Sequence, residues 1–403
     1  MSIELFGLLL IAGCLTAQTL PVVPKRYRVL AALAVAGFFV VLAPFVLDDF
    51  RLFQLTKFAI WAIVAIGLNL LTGYNGQISL GHGAFVLLGG YVAAILMDDK
   101  SQVGFVDGAA WPFWTTIIAA AMICGVAGFM LGFPALRLTG PYLAIATLAL
   151  IISAPQIIRK YDDVTAGSQG LYINQPPPPP GLESAMNDDQ WMYALCMGVA
   201  IVMLIIAWSI VRGPLGRSFV AVRDSETAAA MGINVSRTKL IAFTISAVYA
   251  GVAGALLTFL LEVMTPESVR IEESINFLTA IVIGGLASLL GAIVGALVIV
   301  LLSDAPELVS KLPFVSESFV KSSGGAIQGI LVIVVVLLVP YGFAGTWHRL
   351  VNTTPRAMFN GLRAVPGGIR TRIVETRESL LWTWEGMPWN RDRIQSSEPK
   401  EGG

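Results

Sequence analysis

The chain has 403 residues, 56% of them hydrophobic and 13% charged, with a mean hydropathy of +0.76. An average soluble domain is about a quarter charged, so this composition excludes a soluble globular protein and places the chain in a lipid bilayer. Lys and Arg number 26, as do Asp and Glu, and the zero net charge argues against nucleic acid as a partner.

A bilayer-spanning helix takes about 20 apolar residues. The runs that qualify, in chain order, are 3–20, 29–47, 57–73, 78–97, 113–133, 141–158, 191–211, 240–262, 276–302 and 325–347. They are continuous rather than alternating, which argues for helices and against a membrane barrel. The expected fold is therefore an all-α integral membrane protein of about ten transmembrane helices or half-helices. The first run lacks a basic start and is followed by Pro21 and Pro24, so it reads as a plain span rather than a signal-like anchor. Cys14, Cys124 and Cys196 all lie inside apolar runs and read as small buried hydrophobes.

Lys and Arg in short loops set orientation. The loop with Lys25, Arg26 and Arg28, the loop with Arg137 and the polar island 212–239 belong inside. The loops with Asp98, Asp99 and Asp107, and with Asp162, Asp163, Glu183, Asp188 and Asp189, belong outside. An N-terminus outside satisfies all of them as far as the island. The run 276–302 then upsets the alternation: a single crossing would leave a tail with Arg349, Arg356, Arg363, Arg370, Arg372 and Arg377 outside. At 1.5 Å per residue it measures roughly 40 Å against a hydrocarbon core of about 30 Å. Two half-helices turning back at Ala287–Leu290 solve both problems and put the C-terminus in the cytoplasm. The organisation expected is accessory spans over 1–56, a core over 57–347 and a basic tail over 348–403. That tail is partly disordered or lies on headgroups through Trp382, Trp384 and Trp389. The prolines Pro176 to Pro180 predict a stiff polyproline spacer in the outer loop 159–190.

The chain contains no Gly-Lys pair, hence no phosphate-cradling Walker loop of its own. Lys57 and Glu262 sit at the ends of runs and only His82 is ionisable within one. A carrier driven by protons or ions usually keeps such groups at mid-membrane, so an energy source in another subunit fits better. The densest intramembrane polar cluster is GYNGQISLGHG, 73–83, with Asn75, Gln77, Ser79 and His82. It is either a wall of a substrate path or a glycine-rich helix start whose polar groups bond to neighbouring helices; for His82 alone the second reading is preferred. Thr139-Gly140-Pro141-Tyr142 reads as a helix cap. Thr165 to Gly170 reads as an outer turn, and Glu267, Glu272 and Glu273 as an outer acidic rim. Either could also dock a soluble protein. The island carries Arg212, Arg217, Arg223, Arg237 and Lys239 against Asp224 and Glu226. Asp224 to Gly232 within it reads as a short helix ended by glycine, a docking point for a soluble partner.

Four blocks in order support a resemblance: GLNLLTGYNGQISLGHGAF (67–85), GPYLAIATLAL with TAGSQGL (140–150, 165–171), GRSFVAVRDSETAAAMGINVSRTKLIAFTISAVYAGVAGAL (216–256) and IVIGGLASLLGAIVGAL (281–297). The chain resembles the permease subunits of bacterial ABC importers for branched-chain amino acids, specifically the longer of the two. The resemblance implies a type II-like ABC importer permease in the bacterial inner membrane. Arg223, Asp224, Glu226, Ala228, Ala229 and Gly232 would form the loop that engages an ATPase. The implied partners are a homologous second permease, two ABC ATPases that bind the ATP and Mg, and an extracytoplasmic binding protein. The chain itself would hold no cofactor and catalyse nothing. Urea and short-amide permeases are similar in the same blocks, and a secondary carrier is the alternative of another class.

Overall fold

The first helix, α1 (Asp49–Leu68), continues without interruption into a π-helical turn, Asn69–Tyr74, and then breaks. This computed structural model describes residues 37, 43–97, 111–138, 140–181, 186–224, 232–303 and 317–338. After the break come α2 (His82–Met97), α3 (Phe113–Ala135), α4 (Pro141–Lys160) and a single turn, α5 (Asp162–Thr165). Helices α6 (Asp188–Arg212), α7 (Pro214–Asp224) and α8 (Val235–Leu261) follow, then α9 (Ile271–Gly284), α10 (Leu289–Ser303) and α11 (Glu317–Leu338). The expected runs 3–20 and most of 29–47, and the tail 348–403, lie outside the described residues.

Helix starts follow local rules. Asn187 and Gln190 close a reciprocal capping box on α6. The Asn234 side chain accepts from the Arg237 backbone amide at 2.9 Å at the start of α8, and Pro141 opens α4 at its first position. Five described helical stretches are long and apolar enough to cross a membrane. Helices α1 and α8 form the centre, with 83% and 78% of their most apolar windows buried against 17% for α4. Apolar side chains of α3 (Met122, Val126, Met130, Phe133) and of α6 (Val202, Ile205, Ile206) point outward, as lipid-facing surfaces do. Because both faces of these helices are apolar, no amphipathic stripe marks which one packs inward.

The central seams are closed by glycines. A Cβ on Gly254 of α8 would stand 2.0 Å from the Val86 carbonyl of α2, and one on Gly128 of α3 would stand 2.4 Å from the Ala247 methyl of α8. This is small-residue packing, which in a membrane replaces the hydrophobic drive between helices. Tyr249 Oη of α8 also donates to the Met203 carbonyl of α6 at 2.8 Å.

Residues 276–302 form a helical hairpin. A Cβ on Gly295 would lie 1.8 Å from the Ala280 carbonyl, and one on Gly284 would lie 1.8 Å from the Gly291 carbonyl. Those pairings run antiparallel, so α10 folds back along α9. The turn spans 285–288, slightly earlier than Ala287–Leu290, because Gly285 (φ 113°) takes the left-handed backbone that starts it.

Other details depart from the sequence reading. Lys57 stands two turns inside α1 rather than at a span's end, because the helix starts at Asp49. Its ammonium lies 5.3 Å from the Trp61 ring centroid, an apolar face that tolerates a cation. The run 78–97 becomes helical only at His82. One two-residue antiparallel ladder, Leu171↔Met264 and Tyr172↔Val263, ties the loop after α5 to the chain leaving α8. All described residues belong to one compact unit, 1–344.

Candidate functional site

The break after α1 places irregular backbone among buried helices. Gln77 lies level with Lys239 and His82 level with Ser246 on α8, so the chain descends about 10 Å beside that helix without being helical itself. Some backbone groups there find local partners, as the Gly76 and Gln77 amides do in the Thr72 and Leu71 carbonyls, and irregular chain at membrane depth persists only when the rest are satisfied by other parts of the protein. Hydroxyls from distant helices satisfy them. Thr147 Oγ1 of α4 accepts from the Leu80 amide at 3.0 Å, and Ser274 Oγ of α9 accepts from the Gly83 amide at 2.9 Å. Thr72 Oγ1 donates to the Gln77 carbonyl at 2.9 Å.

Asn75, Gln77, Ser79 and His82 are all buried. The Asn75 and Gln77 amides donate to the Thr238 and Lys239 carbonyls at 3.4 and 3.1 Å, in the first turn of α8. Asn75 Oδ1 is buried without a hydrogen-bond partner. Ser246 Oγ donates to the Gly67 carbonyl at 2.7 Å and lies 2.5 Å from His82 Nε2. With its proton so used, Ser246 must accept, so the pattern assigns the Nε2 proton to His82, which donates it. Ser79 Oγ lies 3.3 Å from Nδ1 on the other side of the ring. His82 thus links α1, α2 and α8 through the Ser246 hydroxyl, which accepts from the ring and donates to Gly67.

The polar island meets this break from both of its flanks. Before it, α7 buries Phe219 on one face, and Arg223, one turn further on, donates from Nη1 to the Gly73 carbonyl at 2.5 Å. The Arg223 stem runs beside Gly76, where a Cβ would stand 3.0 Å from its Cγ; Gly76 itself has φ 78°. After it, Gly232 takes φ 84° and α8 begins with the carbonyls that hold Asn75 and Gln77. Asp224 ends a helix instead of beginning one. Glu226, Ala228 and Ala229 lie outside the described residues, as does the rest of 225–231.

One residue not singled out from sequence belongs to the site. Asn69, fully buried in the π-turn, donates from Nδ2 to the Ser288 carbonyl at 2.8 Å and accepts at Oδ1 from the Ala287 amide at 3.0 Å. It clamps the tip of the α9–α10 hairpin. The only sequence signal is an Asn inside an apolar run, which is rare enough in a membrane helix to be informative.

At the opposite end of the bundle, Glu267 forms an ion pair with Arg159 at the end of α4. Glu272 is exposed, while Glu273 is half-buried with Oε2 unpartnered. Ala166 (φ 55°) and Gly167 (φ 55°) shape the turn after α5, and Gly170 lies against the Met264 carbonyl, 2.5 Å from where its Cβ would be.

A family model described as "Branched-chain amino acid transport system / permease component" matches residues 50–353, from the first turn of α1 through every described helix. The chain belongs to this family. It is a multi-pass membrane protein of the permease type. Among curated relatives, the high-affinity branched-chain amino acid transport system permease protein LivM of Salmonella typhimurium (strain LT2) is 32% identical over 269 residues, covering 61% of each chain. LivM of Escherichia coli (strain K12) is 33% identical over 265 residues, 60% of each. The permease protein LivH of the same strain is 26% identical over 305 residues, 71% of this chain and 91% of the relative. The chain thus spans about three-fifths of the length of the LivM relatives it matches. No solved structure matches it.

Proposed function

We propose that the chain is one permease half of an ATP-driven importer that moves branched-chain amino acids across a bacterial inner membrane. The observation that carries this reading is the two-sided grip of the polar island on the break after α1: Arg223 on Gly73 from one flank, Thr238 and Lys239 on Asn75 and Gln77 from the other. A soluble subunit pushing on 225–231 would move the intramembrane break through both handles at once. The permease relatives named for branched-chain amino acid transport support the cargo.

In this reading the island faces the cytoplasm, because Arg137, Arg212, Arg217, Arg223, Arg237 and Lys239 share one end of the bundle. Two ATPase subunits bind ATP and Mg and engage Glu226, Ala228, Ala229 and Gly232. A homologous second permease completes the pore, and an extracytoplasmic binding protein delivers the amino acid near Glu267, Glu272 and Glu273. Asn75, Gln77, Ser79 and His82 brace the wall of the path. Neutral amides and hydroxyls hold a zwitterion weakly, which speeds its release.

The test is a Glu226→Ala/Gly232→Val variant of the complete complex in proteoliposomes. Valine at a left-handed position costs roughly 1–2 kcal/mol, enough to displace the loop without preventing insertion. ATP hydrolysis is expected to persist while leucine uptake falls by about tenfold or more, a change of about 1.4 kcal/mol in coupling. Normal uptake in this variant, or uptake by the purified chain alone under an ion gradient, overturns the importer reading.

A further inference from the structure

The contacts of Gly73 and Asn69 lie on a single line of force. The Gly73 carbonyl receives the Arg223 guanidinium. On its other side Gly73 has no slack: a Cβ there would stand 1.9 Å from Asn69 Oδ1 and 2.5 Å from the Ala287 amide nitrogen. Asn69 in turn holds the hairpin tip by a reciprocal pair of hydrogen bonds to Ala287 and Ser288. We propose that Asn69 is a positioning residue for transport, part of a joint at Asn69 and Gly73 that carries motion of the α7 arm to the tip of the α9–α10 hairpin.

Three features fit that role. The tip is mechanically sensitive, because Ala287 holds φ 58° without being glycine. Such strain persists only where the surroundings enforce it, and the Asn69 clamp does so. The tip also ends at a useful depth. The two half-helices have 14 and 15 residues, about 21–22 Å each, so they stop short of a full crossing of about 30 Å. Finally, the tip carries Leu286 and Leu290, which are 50% and 66% exposed, while its polar backbone faces the clamp. Tilting the tip therefore moves two bare leucines, the sort of apolar constriction that closes a pore by dewetting. Arg223 acts here as an internal strut, whatever else touches the arm.

The inference that the tip gates transport rests on the importer reading; the joint itself does not. It is tested first by hydrogen exchange on the purified full-length chain, following peptides that cover 285–291. Arg223→Ala changes no residue of the tip itself, yet exchange there is expected to rise roughly tenfold, as the loss of one charge-assisted hydrogen bond would give if transmitted. Ser218→Ala on the same helix, whose hydroxyl bonds the Pro214 carbonyl at 3.0 Å, leaves it unchanged. In the complete complex, Asn69→Leu lowers leucine moved per ATP by roughly tenfold. Asn69→Asp, which keeps the acceptor for the Ala287 amide, restores part of the ratio. Unchanged tip exchange in Arg223→Ala overturns the joint, and an unaltered transport-to-ATP ratio in Asn69→Leu, in a complex whose transport needs ATP, overturns the part of Asn69 in transport. Raised tip exchange in a chain whose transport ignores ATP retires the importer reading and leaves the joint standing.

Discussion

At the scale of single residues, the structure divides polar side chains in the membrane into those that serve backbone and those that serve each other. Thr72, Thr147, Ser274 and Asn69 do the first, replacing the partners that a helix would have supplied. His82 does the second, through Ser79 and Ser246, whose hydroxyls also bond the Gly81 amide and the Gly67 carbonyl. Ser246→Ala removes both the acceptor for His82 and the donor to Gly67, and membrane hydrogen bonds average about 0.6 kcal/mol with a maximum near 1.7. The expected loss is about 1 kcal/mol, read as a lowered midpoint in denaturation from mixed micelles, with the chain still inserted. A loss too small to measure would mean that the histidine link contributes nothing to the fold. The polar character of 73–83 is plain in the sequence. Its partners are not, because each lies far along the chain: Asn69 and Ser288 are 219 positions apart. No local pattern encodes which distant hydroxyl meets which amide.

At the scale of elements, the hairpin is the most legible unusual feature and the π-turn the least. An apolar stretch too long for one crossing, together with the charge of the following tail, implies that 276–302 turns back. The turn's position follows from the conformation of Gly285. The π-turn leaves no such signal, since Asn69–Tyr74 reads as the end of an ordinary span. Helix α7 is similarly hidden: its Gly216 and Phe219 pack inward, but within a basic island they resemble loop residues. The hairpin seam makes a sharp prediction. In Gly295→Ala the new methyl must displace the Ala280 carbonyl, an overpacking cost of about 1–3 kcal/mol. Monodisperse protein on size exclusion should fall accordingly. Gly198→Ala on α6, with nothing within 4 Å of the added carbon, is expected to be neutral or to gain up to about 1 kcal/mol from helix propensity. Equal yields of the two variants would mean that the hairpin seam tolerates an added methyl.

At the scale of the whole molecule, length, composition and loop charge are enough to infer a helical membrane protein, and the family match over 50–353 agrees. Which helices would be central was not legible, because α1, α3, α6 and α8 are all apolar on every side; only their glycine contacts sort them. Topology offers the broadest test. With α9 and α10 folded back on each other, α11 begins on the side opposite the polar island. A cysteine placed by Ser318→Cys should therefore react with an impermeant maleimide added outside intact cells and stay dark to one confined inside. Labelling only from within would show that the hairpin crosses the bilayer.

The glycine seams have one last implication. At the glycines where α8 meets α2 and α3, main chain lies against main chain or the first carbons of a side chain, leaving little compressible padding between the rods. A block assembled this way can rock or rotate but cannot be squeezed. Whatever stroke the protein makes must then be taken up at its margins, where α4, the hairpin tip and the α7 arm have room to yield.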